Sequence, residues 1–363
     1  MKRIPPLTLV VSLLVSLMMA APVFAAIEGA WTASNEDKFP GRIYFNITYG
    51  RQHQNGSTME LSTFSGLTEA QINATAMTPV QFFISREAGK ATFDGTFRNG
   101  KGAGQFTFEG NPAYPEMIEK LGVKFDLDRG RRGRDRDEEE TLFTLALFDV
   151  STAFIRSMQA EGYRETLQKY LEMRIFNITP EYIHEMRSLG FRNIDADELV
   201  ASRIHKVTPA YVREMRAAGW DLSLEEYQSS RIFGLTPQFA EDMKKLGYGD
   251  LSHDQLTAFR IHKVTAEFIS EMRGLGYDRL SADDLVAFRI HHVTPDFIKE
   301  LRTLGYNNVD ADDLVAMRIH HVTPEFIRQL GDAGYHNVPV EKLVALKING
   351  LDAKYIKRMN GHD

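Results

Sequence analysis

From residue 174 onward the chain repeats itself. Arg174-Ile175 returns as Arg203-Ile204, Arg231-Ile232, Arg260-Ile261, Arg289-Ile290, Arg318-Ile319 and Lys347-Ile348, in steps of 29, 28, 29, 29, 29 and 29 residues. Glycine keeps the same interval at Gly162, Gly190, Gly219, Gly247, Gly276, Gly305 and Gly334, and an aromatic follows each one: Tyr163, Phe191, Trp220, Tyr248, Tyr277, Tyr306 and Tyr335. A period this strict is the mark of stacked units that cannot bury their apolar faces alone.

Each unit reads as two short helices. The first opens at Thr-Pro, as in Thr179-Pro180, Thr208-Pro209, Thr294-Pro295 and Thr323-Pro324. Threonine caps free N–H groups and proline suits the first helical position. Apolar residues follow at helical spacing, for example Tyr182, Ile183, Met186 and Leu189, until Gly190 supplies a left-handed stop. The second helix opens on a capping box, Asp195-x-x-Glu198 or Ser281-x-x-Asp284, and its apolar side is read through Leu285, Val286 and Ile290. Each helix should run about 10 residues, or about 15 Å.

Degenerate copies extend the array backwards. Glu138 to Val150 matches a second helix with its connector, and Ser151 to Gly162 a first helix without the proline. Asn111-Pro112-Ala113-Tyr114 through Gly122 matches Thr179-Pro180-Glu181-Tyr182 through Gly190. The polar run DRGRRGRDRD then reads as a solvated loop inserted near 126–137. The expectation for 111–363 is an α-solenoid of two-helix repeats, about nine units in all.

Residues 26–110 have a different texture. Ile43, Phe45, Ile47 and Tyr49 alternate, as do Val80, Phe82 and Ile84, which is strand periodicity. Ala91 to Arg98 and Ala103 to Glu109 read as a hairpin turning at Asn99-Gly100-Lys101-Gly102. Glu28 to Ala33 and Thr58 to Leu61 are further strand candidates, and Thr68-x-x-Gln71 opens a short helix. The sum is a small antiparallel β domain of about six strands, sandwich or barrel. Gly95, Gly100, Gly102 and Gly104 read as turn and bulge residues. The fold class expected is therefore α+β and multidomain.

Residues 1–25 read as a secretory leader, with Lys2 and Arg3 before the apolar run Leu7 to Ala21 and small residues around Ala25. The expected location is periplasmic or secreted, with no membrane span after the leader. The chain has no cysteine, which removes disulfides, thiolate metal sites and cysteine nucleophiles together. A net charge of −6 argues against nucleic acid as the main partner.

The residues that recur are the candidates for binding. Arg203, Arg231, Arg260, Arg289 and Arg318 form the most uniform polar ladder, set on a side of the second helix that also carries apolar residues. There they need carbonyl or carboxylate partners, and Asp197, Asp283, Asp312, Glu214, Glu271 and Glu300 recur on the same interval. Histidines form a second ladder at His205, His262, His291 and His320, with Lys206, Lys263, His292 and His321 beside them. Repeat-related imidazoles about 10 Å apart cannot share one ion, so the preferred reading is a helix C-terminus and not a metal site. His184-Glu185 begins like HExxH, but Ser188 stands where the second histidine belongs. No catalytic residue, cofactor or metal site is assigned.

The consensus RIHxVTPEFIxEMRxLGYxxLSADDLVAxRIH resembles repeats of bacterial exported proteins. It is similar to the C-terminal repeat extensions of some membrane metallopeptidases of the β-lactam-sensor type. Phe64-Ser65-Gly66-Leu67-Thr68 and Phe97-Arg98-Asn99-Gly100-Lys101-Gly102-Ala103-Gly104 resemble the region preceding such arrays. The peptidase's HExxH and membrane helices have no counterpart in this sequence, so the resemblance implies envelope location and architecture. The function expected is a non-enzymatic interaction protein with a protein or peptide partner. The alternative is ligand or metal sensing through the two ladders.

Overall fold

The computed structural model describes residues 26–35, 40–50, 53–127 and 138–351. The leader reading at 1–25, the charged run at 128–137 and the end of the array beyond 351 lie outside the described residues. By its internal contacts the chain forms two compact units, Met1–Glu185 with Asn193–Val200, and Met186–Arg192 with Ala201–Asp363.

The first unit holds six antiparallel strands: β1 (Ile27–Ser34), β2 (Arg42–Tyr49), β3 (His53–Glu60), β4 (Thr78–Arg86), β5 (Gly89–Arg98) and β6 (Lys101–Gly110). They make one sheet in the order β3-β2-β1-β6-β5-β4. Among the described residues there is no second sheet, and β3 does not pair with β4. The buried face is aromatic: Trp31 stacks on Phe45 at 5.6 Å, and Phe82 stacks on Phe93 at 5.0 Å. Phe64 packs on Phe45 and Phe82 from the segment that precedes helix α1 (Glu69–Ile72). The Thr68–Gln71 capping box opens α1 as expected.

The hairpin is tighter than its sequence suggested. Only Asn99 and Gly100 form the turn, both at positive φ, and the strands run on to Arg98 and Lys101. Gly95 and Gly104 are not bulge residues. They face each other across β5 and β6, and a Cβ on Gly104 would meet the Asp94 carbonyl at 1.9 Å. Trp31 lies over that pair and donates its indole N–H to Asp94 and Gln105 carbonyls.

Helices follow the sheet. The first unit holds α2 (Tyr114–Glu119), α3 (Glu138–Leu147), α4 (Thr152–Ala160) and α5 (Leu167–Ile175). Phe143 of α3 stacks on Phe106 at 5.3 Å, which seals one end of the aromatic core. Helix α2 begins at Tyr114, two residues later than the repeat register implied, and the Tyr114 hydroxyl donates to the Val150 carbonyl. The later pairs are α6 (Pro180–Ser188) with α7 (Ala196–Ile204), α8 (Pro209–Ala217) with α9 (Leu224–Phe233), and α10 (Pro237–Lys245) with α11 (His253–Ile261). Then come α12 (Ala266–Gly274) with α13 (Ala282–Ile290), α14 (Pro295–Thr303) with α15 (Ala311–Ile319), and α16 (Pro324–Asp332) with α17 (Val340–Ile348). In the second unit, successive second helices α9, α11, α13, α15 and α17 touch in order, as a solenoid requires. Among the described residues no single helix is long and apolar enough to cross a membrane.

Helix length is set at both ends. Thr208, Thr236, Thr265, Thr294 and Thr323 each accept the N–H of the third residue on, each cap contributing about 1 kcal/mol. Ser223, Ser252 and Ser281 open second helices with complete capping boxes. First helices stop at a glycine with φ between 82° and 97°, and the next N–H reaches back five residues, as Tyr277 does to Met272. Second helices stop the same way without a fixed glycine. Their left-handed residue is Asn177, Lys206, Gly234, Lys263, His292, His321 or Gly350.

Two outcomes are expected. A side chain with a Cβ is strained in this conformation by about 1 kcal/mol. His292→Gly and His321→Gly should therefore each raise the free energy of urea unfolding by about that much, and no gain would refute the assignment. The Ser223 N–H, with the Ser223 hydroxyl second, holds the Glu226 carboxyl below its ordinary 4.5. A depressed carboxyl stabilises above its unfolded pKa and loses that contribution as pH falls through its folded value. Glu226→Gln should be less stable than the parent at pH 7, with the difference closing as pH falls below 4.5.

Candidate interaction face

The arginine ladder is a tie between repeats. In the second unit Arg260, Arg289 and Arg318 donate Nε to the carbonyls of Phe233, His262 and His291, at 3.1, 3.1 and 3.2 Å. Each carbonyl belongs to the residue that ends the preceding second helix. On the way each guanidinium lies over an aromatic ring of the intervening first helix: Phe239 at 5.1 Å, Phe268 at 4.8 Å and Phe297 at 4.9 Å. Arg231 lies 3.7 Å over Tyr211, Lys347 repeats the geometry on Phe326, and Arg203 holds the same rung. In the first unit Arg174 does the same with the Phe148 carbonyl and the Phe154 ring. The partners in the second unit are thus carbonyls and rings, while Arg174 in the first unit also pairs with Asp149 at 2.9 Å. The recurring acids go elsewhere, Asp197 to Lys169 and Glu300 to Arg328.

The histidines follow from that arrangement. His262, His291 and His320 are C-cap residues, and the carbonyls of His262 and His291 receive Arg289 and Arg318. His292 and His321 are the exposed left-handed residues that follow. Among the described residues no three His, Asp or Glu side chains converge as metal ligands.

Two further ladders tie the repeats, one of arginines not singled out from the sequence and one of the post-glycine tyrosines. Arg216, Arg273 and Arg302 donate to the carbonyls of Leu189, Leu246 and Leu275 near the end of the preceding first helix. Their signal was the Glu-Met-Arg or Glu-Leu-Arg triplet one turn before each glycine. Tyr248, Tyr277 and Tyr306 donate their hydroxyls to the carbonyls of Leu280, Val309 and Val338, thirty-two residues on, and Tyr163 reaches Ile194 within the first unit. Burial pushes the phenols of Tyr248, Tyr277 and Tyr306 up. Tyr163, Tyr248, Tyr277 and Tyr306 are therefore packed and hydrogen-bonded to the next repeat, while Tyr335 is 42% exposed.

One repeat departs from the rest. Ser202 and Ser230 are buried where Met173, Phe259, Phe288 and Met317 stand in other copies. Gln228 reaches Ser202 at 3.1 Å, and His253, at a position of alanine, leucine or valine in the other copies, reaches Ser230 at 2.9 Å. Polar side chains thus satisfy one another in the space that large apolar ones fill elsewhere. The 28-residue step falls in this same stretch.

The ladder's neighbour is what remains uncovered. Ile204, Ile232, Ile261, Ile290, Ile319 and Ile348 are between 46% and 61% exposed. Leu285 and Phe288, three residues apart, point into the core, and Ile290 lies about 200° around the helix from Phe288. Because the second helices α9 to α17 touch in order, Ile232, Ile261, Ile290, Ile319 and Ile348 form one row. Between two rungs a groove of about 360 Å³ is lined by Ile290, His291, His292, Ile319 and His321.

The tie has a measurable weight. A charge-assisted hydrogen bond contributes about 1.5–3 kcal/mol and a ring contact about 0.5–1. Arg289→Ala should lower unfolding free energy by about 2 kcal/mol, and Arg289→Lys by less. If Arg289→Ala cost no more than a neutral surface change, the tie would not hold the stack. Comparison of the chain with protein-family models, with curated proteins and with solved structures gave no match.

Proposed function

We propose that this is an exported, non-enzymatic interaction protein whose helical repeats present a surface to a protein or peptide partner. The exposed isoleucine row carries the reading. Single apolar residues scattered on a surface need no explanation, but a contiguous row does. Here the same residue faces solvent in six successive copies, while its neighbours are engaged in holding the stack. Solenoids characteristically recognise partners through such repeated faces.

Export rests on the leader reading at 1–25. The resemblance of the repeat to those of bacterial envelope proteins supports the same location. The second reading, ligand or metal sensing, is favoured by the three imidazoles that border the groove at Ile290 and Ile319. Zinc or nickel that raised the melting temperature through those histidines would favour it over the first.

The first reading predicts a specific loss. Full-length protein should capture a partner from envelope extract under crosslinking, and the triple variant Ile261→Asp, Ile290→Asp, Ile319→Asp should not, while keeping its helical circular dichroism. Undiminished capture by the folded triple variant would remove the row from the binding surface.

A further inference from the structure

A crevice beside Trp220 opens where one repeat departs from the others. Between the loops that follow Gly219 and Gly247 it holds about 310 Å³, walled by Trp220, Leu222, Ala240, Tyr248, Leu251 and Leu256. Ala240 stands where Ile183, Val212, Ile269, Ile298 and Ile327 stand in the other copies. Those five are buried, at 8% exposure or less, whereas Ala240 is half-buried. Gly249, also in the wall, takes the place of Arg192, Asp278, Asn307 or His336. The connector is shorter too: two residues separate Gly219 from Leu222, against three between Gly247 and Leu251.

Not every change in this stretch leaves space. The His253 imidazole reaches Ser230 at the place that phenylalanine or methionine fills in other copies. The space vacated at Ala240 stays open. The corresponding crevice two repeats on shows what a regular copy makes. It is lined by Tyr306, Asn307, Asn308, Asp310 and Asp313 and does not extend to Ile327. The crevice at Trp220 instead runs inward to Leu256, which is 6% exposed.

The walls define what fits. A cavity of about 150 Å³ holds a benzene ring, so this volume has room for a fused pair. Trp220 is an aromatic wall, with His253 set edge-on to it at 6.4 Å, and such rings favour flat partners in stacked or edge contact. Asp221, the carboxylate in the lining, is already paired with Arg216 at 2.7 Å and offers no bare ion to a charged ligand. The His253 imidazole engages Ser230 through Nε2, and its second ring nitrogen can meet one polar atom of a ligand. We infer that this crevice binds a small, uncharged, planar aromatic molecule of about two fused rings. It lies at the start of α11, whereas Ile261 of the exposed row lies at the end of that helix, so it is separate from the interaction surface proposed above.

The test is isothermal titration calorimetry of the full chain with quinoline, N-methylquinolinium and cyclohexanol. Quinoline should bind at one site, and the charged and the non-planar probes about tenfold more weakly or worse. Ala240→Ile restores the residue of the other repeats. It should raise the melting temperature and weaken quinoline binding about tenfold or more, because the side chain refills the space. Ile261→Asp, at the far end of α11, should leave quinoline binding unchanged. Equal binding by Ala240→Ile, preference for either control probe, or loss of binding in Ile261→Asp would overturn the inference. So would the absence of quinoline binding to the parent chain, which would make the crevice a packing defect only.

Discussion

Everything in the repeat depends on ending helices after nine residues or so in a left-handed residue. That residue turns the chain back and leaves carbonyls at the helix end without intrahelical partners. The next repeat supplies the donor. In the second unit, Arg289 reaches the carbonyl of His262 from 27 residues away, and Arg302 reaches that of Leu275 across the same separation. The unmet backbone group of one repeat is thus the docking point for the next. The period stays near 29 because a longer helix would move the carbonyl beyond the guanidinium.

The same logic accounts for residues that looked like chemistry. Paired histidines at a fixed interval suggest a metal site, yet one of each pair contributes its carbonyl and the other tolerates a left-handed turn. Asn177, Gly234 and Gly350 occupy the second rung equally well, which shows that backbone conformation sets the position. The imidazoles remain at the margin of an apolar groove, where their charge state bears on what can lie in it.

Much of this was legible in the residues. Thr-Pro, Ser-x-x-Asp and glycine located helix ends closely, because caps act through a few adjacent atoms. The alternation of Ile43, Phe45 and Ile47 located a strand for the same local reason. Closure of the sheet was not legible, since pairing of β3 with β4 depends on curvature accumulated over six strands. The exposure of Ile290 was not legible, because nine-residue helices with apolar residues on several sides carry little periodic contrast. The arginine partners were hidden because a main-chain carbonyl leaves no signature in the sequence.

The departure at Ser202, Gln228, Ser230 and His253 bears on how the array comes apart. In the second unit, ties of about 27 to 32 residues join each repeat only to its neighbours, so the array approximates a one-dimensional chain of coupled elements. The cooperativity of such a chain is limited by its weakest coupling. Hydrogen-bonded polar pairs replace large apolar contacts at this single stretch, so this is where the array would separate into two cooperative segments under stress. The polar seam thus makes local opening a property of one place in the array instead of its ends alone.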